Sequence, residues 1–273
     1  MSERATDRST RPTLEIARFD AGRRLKGSFA LSVGIAFFAL LFTSFFPSVE
    51  QIDVEEYTEA MPELFRELFN IQAMTSVEGF LAVEVYQFIW VLLLPLYVAY
   101  LGAGIVAGDA DRDRLDVLLS LPVSRSRLLA GKSAALAPVI VLPNVIVPPV
   151  VYVGVLALGE SIDPMALVAV HALSVPFFLA CGAIGVLASV IVLDGDLARR
   201  VALAAIFALY LLESLSVVAE QDWIGAISPM RYYDPTEIMV DGAYDLVGVA
   251  ALLAIAGVAL GIATVRFQRV DAP

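Results

Sequence analysis

Six long apolar blocks alternate with polar segments along the 273-residue chain. A membrane helix needs about 20 mainly apolar residues. That criterion predicts spans over 28–47, 88–107, 134–158, 165–193, 201–219 and 246–265. The first is not expected to be a cleavable leader. Its apolar run exceeds the ~7–15 residues of a signal peptide and follows a polar, basic tail. Six spans bring both termini to one side.

The segments between the spans carry their own periodicity. In the tail, Leu14, Ile16, Ala17 and Leu25 are interrupted by basic residues, which predicts an amphipathic helix along the inner interface. In the long 48–87 segment, Met61, Leu64, Phe65, Leu68 and Phe69 predict another, over the outer mouth of the bundle. The 108–133 segment is too charged to lie in hydrocarbon. Within it Leu115, Leu118 and Leu119 form one helical stripe; Pro122 should end that helix and Ser124 cap the next. A short amphipathic helix held between two spans suits docking into a groove on a soluble partner.

Breakers within the spans predict irregularity. Pro138, Pro143, Pro148 and Pro149 should bend the third span, as a flexing element or as a permanent kink. The overlong fourth, with Pro176, Gly182 and Gly185, should tilt or break. Gly257-x-x-x-Gly261 in the sixth would permit close helix contact.

Composition supports an all-α polytopic membrane protein with a single domain over 1–273. Hydrophobic residues make up 59% and mean hydropathy is +0.80, whereas a soluble domain is about 45–50% apolar. Charge then gives orientation. Sixteen of the eighteen Lys and Arg residues fall in the tail, the 108–133 and 194–200 loops and the C-terminus; only Arg66 and Arg231 fall opposite. The positive-inside rule makes both termini cytoplasmic. The outer segments are acidic, from Glu50 to Glu84 and from Glu220 to Asp245, and Lys26 and Lys132 are the only lysines. An acidic, Lys-poor surface suggests a high-salt, halophilic source; an acidic lure for cations is the alternative.

Little in the chain supports catalysis. The single Cys181 excludes an internal disulfide and a multi-Cys zinc site. One histidine, no HExxH and no lysine in a span leave an intramembrane enzyme few groups to work with. Ala130-Gly131-Lys132-Ser133 copies only the tail of a P-loop, so ATP, if used, binds a partner. No catalytic residue, cofactor, metal or nucleic-acid partner is expected. Inside the spans, His171 and Glu213 sit about 10 Å below the outer surface at ~1.5 Å per residue. With Asn144 they are candidates for a translocation path. A His171–Glu213 pair and purely structural hydrogen bonds both remain open. Met61, Met74, Met165, Met230 and Met239 lie at or near the outer face, where thioethers bind copper(I) or simply fill loose apolar surface.

The 108–132 segment resembles the permease subunits of ABC type-2 transporters. There the second span typically runs into a pattern like GERERGTLDLLLSLPVSRRxLxxGK. Gly108, Asp109, Asp111, Arg112, Leu115, Asp116, Leu118, Leu119, Ser120, Pro122, Val123, Ser124, Arg125, Gly131 and Lys132 are in register. Asp113 and Arg114 replace the usual Gly-Thr, so the local helix start is expected to differ. Ile227, Ser228, Pro229 and Tyr232 resemble the Ser-Pro segment before the family's sixth span. The resemblance implies a dimeric exporter permease in the cell membrane, driven by a separate ATPase subunit. It makes 108–133 the main coupling element, through Asp109, Asp111, Arg112, Leu115, Asp116, Leu118, Leu119 and Arg125, and 194–200 the second. The long first outer loop is most similar to the nitrous-oxide-reductase maturation, copper-processing branch. A non-transporting membrane anchor or assembly factor is the alternative.

Overall fold

A computed structural model describes residues 3–49, 76–120, 122–219 and 221–270. Every regular element among them is helical, and six helices are long and apolar enough to cross a membrane. Helix α1 (Glu3–Val49) is followed by α2 (Val77–Ala103). A polar segment then holds α3 (Ala107–Ala110), α4 (Leu115–Leu119) and α5 (Arg125–Ser133). A 3-10 turn leads into α6 (Ala137–Ala157), then come α7 (Pro164–Val192) and α8 (Gly195–Val218). After α9 (Asp222–Gly225) and α10 (Pro235–Met239), α11 (Leu246–Gln268) closes the bundle. The amphipathic helix expected over 58–72 lies outside the described residues.

The tail helix and the first span form one element, α1. No proline or cap separates them, and Gly22 and Gly27 each cost a helix only about 1 kcal/mol. Its Thr13–Ser48 portion is about 54 Å long at ~1.5 Å per residue, well beyond a hydrocarbon core of ~30 Å. The first turns therefore stand outside the hydrocarbon. The second span starts at Val77, earlier than its hydropathy suggested, because Glu78 and Glu84 dilute the apolar run. Ser76 caps it, accepting from Gly79 N at 3.1 Å. From Ala82 to Leu93 the helix takes the wider π form, which is rare and frequent at functional sites.

Helix α7 is the centre of the bundle. Of the expected tilt or break, the break does not occur: the helix runs unbroken through Pro176, Gly182 and Gly185 and stops at left-handed Leu193 (φ 56°). Its glycines meet α2 instead of loosening α7. A Cβ on Gly102 would stand 2.6 Å from the Gly182 carbonyl, and one on Gly185 would collide with the Ala99 carbonyl. Both α2 and α7 bury 61% of their most apolar window, against 22% for α8 and 28% for α11. The latter two thus turn most of their surface outward from the bundle. Gly257 and Gly261 lie on that outward surface, with nothing within 4 Å of an added Cβ, so the expected close contact is not made within the chain. Helix α6 continues through Pro143, Pro148 and Pro149.

The departure from the family pattern at Asp113 has a local explanation. Asp113 is left-handed (φ 52°). Its N–H donates to Ala110 O at 3.0 Å and Arg114 N–H to Asp109 O at 2.9 Å. These are the paired bonds of a Schellman stop, whose left-handed position usually takes glycine. The pattern's glycine therefore marks the end of α3 rather than a change in where α4 starts. Aspartate tolerates this backbone; a β-branched residue does not. Asp113→Gly should leave stability in detergent, read by thermal unfolding, within about 1 kcal/mol of the parent, whereas Asp113→Val should cost ~1–2 kcal/mol.

Candidate coupling surface and transport path

The charged 104–133 region gathers at one end of the bundle with the start of α1, the α7–α8 turn and the end of α11. Each predicted coupling residue has a definite place there. Asp109 pairs with Lys132 at 2.5 Å, and Lys132 also reaches Asp20 of α1 at 3.2 Å. Gly131 explains how α5 comes so near: a Cβ there would stand 2.9 Å from Thr13 O. Asp111 accepts from Gly195 N with both carboxylate oxygens, at 3.1 and 3.0 Å. A carboxylate at the N-terminus of α8 is favourably placed against its dipole. It ties the 108–133 loop directly to the 194–200 loop, and a Cβ on Gly195 would collide with it. Arg125 donates to Gln268 O at 2.9 Å and also to Phe267 and Val270, capping the end of α11. Ser124 takes the N-cap backbone of α5, but its hydroxyl makes no capping bond. Arg112 donates back to Gly108 O at 3.0 Å.

The leucine stripe of α4 faces inward. Leu115 is buried, Leu118 and Leu119 pack half-buried against the core, and Asp116 is exposed. The apolar group that α4 presents outward is Val117, 65% exposed. Beside it a groove of about 410 Å³ opens between α1 and α4, lined by Ile16, Phe19, Val117 and Leu118, with Glu15 and Arg114 among its charged groups.

In the opposite half, the three path candidates separate. His171 and Asn144 share one buried cluster on α2, α6 and α7. The His171 ring packs edge-on against Tyr86 and Trp90, with centroids 5.2 and 5.1 Å away. Its Nδ1 meets Leu167 O at 2.8 Å. Trp90 Nε1 donates to Asn144 Oδ1 at 3.0 Å, and Asn144 Nδ2 donates to Ile140 O at 2.9 Å. The one proton of Ser174 serves either Asn144 Oδ1 or His171 O. Two buried polar atoms, His171 Nε2 and Tyr86 Oη, have no partner among the described residues. Glu213 belongs elsewhere: it faces Arg231 at 3.5 Å and does not pair with His171. That ion pair draws the 229–232 turn against α8, where Ser228 also donates to Leu209 O at 3.0 Å. Nearby, burial and then Asp234, Asp241 and Asp245 hold the Glu237 carboxyl above the ordinary range.

Tyr86, Trp90, Ser174, Gly195, Asp20 and Arg231 join these sites without having stood out in the sequence. Arg231 had a signal, as one of two basic residues away from the basic face; the others had none. Met230 and Met239 are core side chains and Met165 is exposed alone, while Met61 and Met74 lie outside the described residues. No group of three or more His, Cys, Asp or Glu among the described residues could hold a metal ion.

Six apolar helices carrying a clamped helical loop at one end define a multi-pass membrane protein. A family model described as ABC-2 family transporter protein matches residues 14–272, and the chain belongs to that family. It is a transmembrane transporter subunit. No curated protein matches the chain.

Proposed function

We propose that this chain is the permease subunit of an ATP-driven exporter in the cell membrane. It works as a dimer, with both termini cytoplasmic, and a separate ABC ATPase docks on 108–133. The carrying observation is how the loop is held. The segment is bonded to α1 and α11 through Lys132 and Arg125 of α5, and to α8 through Asp111 just after α3. A push on α4 is passed through its packed leucines and its flanking segments, whose polar contacts reach three spans. The groove between α1 and α4 supplies the docking surface, with Val117 as its exposed apolar contact; Leu115, Leu118 and Leu119 fix the helix from behind. His171, Asn144 and the orphaned Tyr86 hydroxyl mark a polar point on the path between α2, α6 and α7, and Glu213 positions the 229–232 turn. The acidic, Lys-poor composition supports a high-salt habitat. The copper-processing branch rests on the length of the first outer loop, 48–87.

Val117→Asp should reduce co-purification of the ATPase at least about tenfold, the loss of one well-placed apolar contact, with the permease still at normal abundance in the membrane. Binding unchanged by Val117→Asp would remove α4 from the interface. Failure of any ATPase to co-purify with the parent chain would favour the anchor or assembly factor instead.

A further inference from the structure

At the loop end, α1, α2, α3, α5 and α8 line a cavity of about 310 Å³. Two carboxylates, Asp20 and Asp109, stand on its wall, and Lys132 pairs with both. Four guanidiniums share the wall with them: Arg23, Arg24, Arg112 and Arg199. Arg199 reaches exposed Asp196 at 3.1 Å and lies 5.3 Å over the Tyr100 ring. Among the described residues Arg112 donates only to the neutral Gly108 carbonyl. Neither Arg24 nor Arg112 has an ion-pair partner among the described residues. A Cβ on Gly108 would stand 3.4 Å from Arg199 Nη2 and 3.7 Å from Arg112 Nη1, so two cations converge over one glycine. Like charges held so close repel. An anion between them relieves that repulsion and takes the forked bonds that guanidinium offers to phosphate. The volume admits much more than one water, whose share of the liquid is about 30 Å³.

A second, apolar cavity of about 410 Å³ opens between α1 and α2, further along both helices. Leu31, Ile35 and Phe38 of α1 face Ile89, Leu93 and Tyr97 of α2 across it. Arg24 and Leu31 are about two turns apart on α1, and Tyr100 and Tyr97 about one turn apart on α2, at ~5.4 Å per turn. A cationic chamber and an acyl-sized groove therefore follow one another in the order in which a phospholipid presents its parts.

We propose that these two cavities bind one anionic phospholipid, its phosphate among Arg24, Arg112 and Arg199 and an acyl chain between α1 and α2. Basic pockets between membrane helices at the interface retain such head groups. The site needs the spans to cross a bilayer. It does not depend on which end is cytoplasmic or on the ATPase.

The test uses the purified full-length permease alone in detergent. Retention of phosphatidylglycerol and of phosphatidylcholine with matched acyl chains is counted by native mass spectrometry. One phosphatidylglycerol should be held at least about tenfold more tightly than phosphatidylcholine. Arg24→Gln with Arg112→Gln should abolish the preference, whereas Arg266→Gln, a charge change outside the cavity, should not. Lysine at both positions should keep part of the preference, separating charge from folding. Gly34→Leu, which fills the groove at a glycine with nothing within 4 Å, should weaken phosphatidylglycerol retention. Equal retention of the two lipids overturns the anionic site. Displacement of phosphatidylglycerol by inorganic phosphate, with no effect of Gly34→Leu, overturns the lipid in favour of a soluble phosphate.

Discussion

Gly185→Leu should abolish accumulation of folded permease. A Cβ at this position collides with the backbone carbonyl of Ala99, and backbone has no rotamer by which to move aside. Overpacking a core costs about 1–3 kcal/mol where side chains can shift, and more where they cannot. Here the two most buried helices, α2 and α7, would have to part along their whole crossing. That separation also pulls the Tyr86 and Trp90 rings off His171 of α7, contacts worth about 0.5–1.5 kcal/mol each beyond the area they bury. Net stabilities are only about 5–15 kcal/mol, so the two losses together bring the fold close to failure. Size-exclusion profiles and thermal midpoints in detergent read the effect. Gly257→Ala serves as the contrast, since that glycine faces open space and its variant should match the parent. A parental midpoint for Gly185→Leu would show that α2 and α7 are not in this register.

The same contact shows how far sequence alone could see. Hydropathy located α6, α7 and α11 to within a few residues, because their apolar runs are uninterrupted by charge, and it placed the start of α8 six residues late, where Asp196, Arg199 and Arg200 open the helix. It misplaced the start of α2, where Glu78 and Glu84 interrupt a helix that tertiary contacts complete. It also took Gly182 and Gly185 for weaknesses, although they are the face that lets α2 approach. A glycine reads as a breaker until the neighbouring backbone is known. At the loop, the family pattern marked Asp109, Asp111, Arg125 and Lys132 as a set. It could not show that Asp111 reaches Gly195 or that Arg125 reaches the end of α11, since those partners lie 84 and 143 residues away in the chain. The helical stripe of α4 was legible, but its direction was not: an amphipathic helix shows which face is apolar, not whether that face meets its own bundle or a partner.

Lys132→Met is the second large effect, and its cause is electrostatic. Lys132 is 8% exposed and lies between Asp20 and Asp109, whose side chains are 21% and 15% exposed. Removing the ammonium leaves two poorly solvated carboxylates facing one another across the α1–α5 contact. Removing one partner of a buried ion pair costs about 3–5 kcal/mol, and here two anions lose the same cation. The α1–α5 contact should open at Gly131, freeing the coupling loop from the first span. Reduced thermal stability should be accompanied by ATP hydrolysis that no longer tracks transport in reconstituted vesicles. The charge origin has its own check. Adding Asp109→Asn to Lys132→Met should recover a substantial part of the lost stability, since one carboxylate no longer has to remain ionised without a cation. Asp109→Asn in the parent should instead destabilise, leaving Lys132 a single partner. If the double variant is no more stable than Lys132→Met, the lysine acts by filling space, and the loop is not held to α1 by charge.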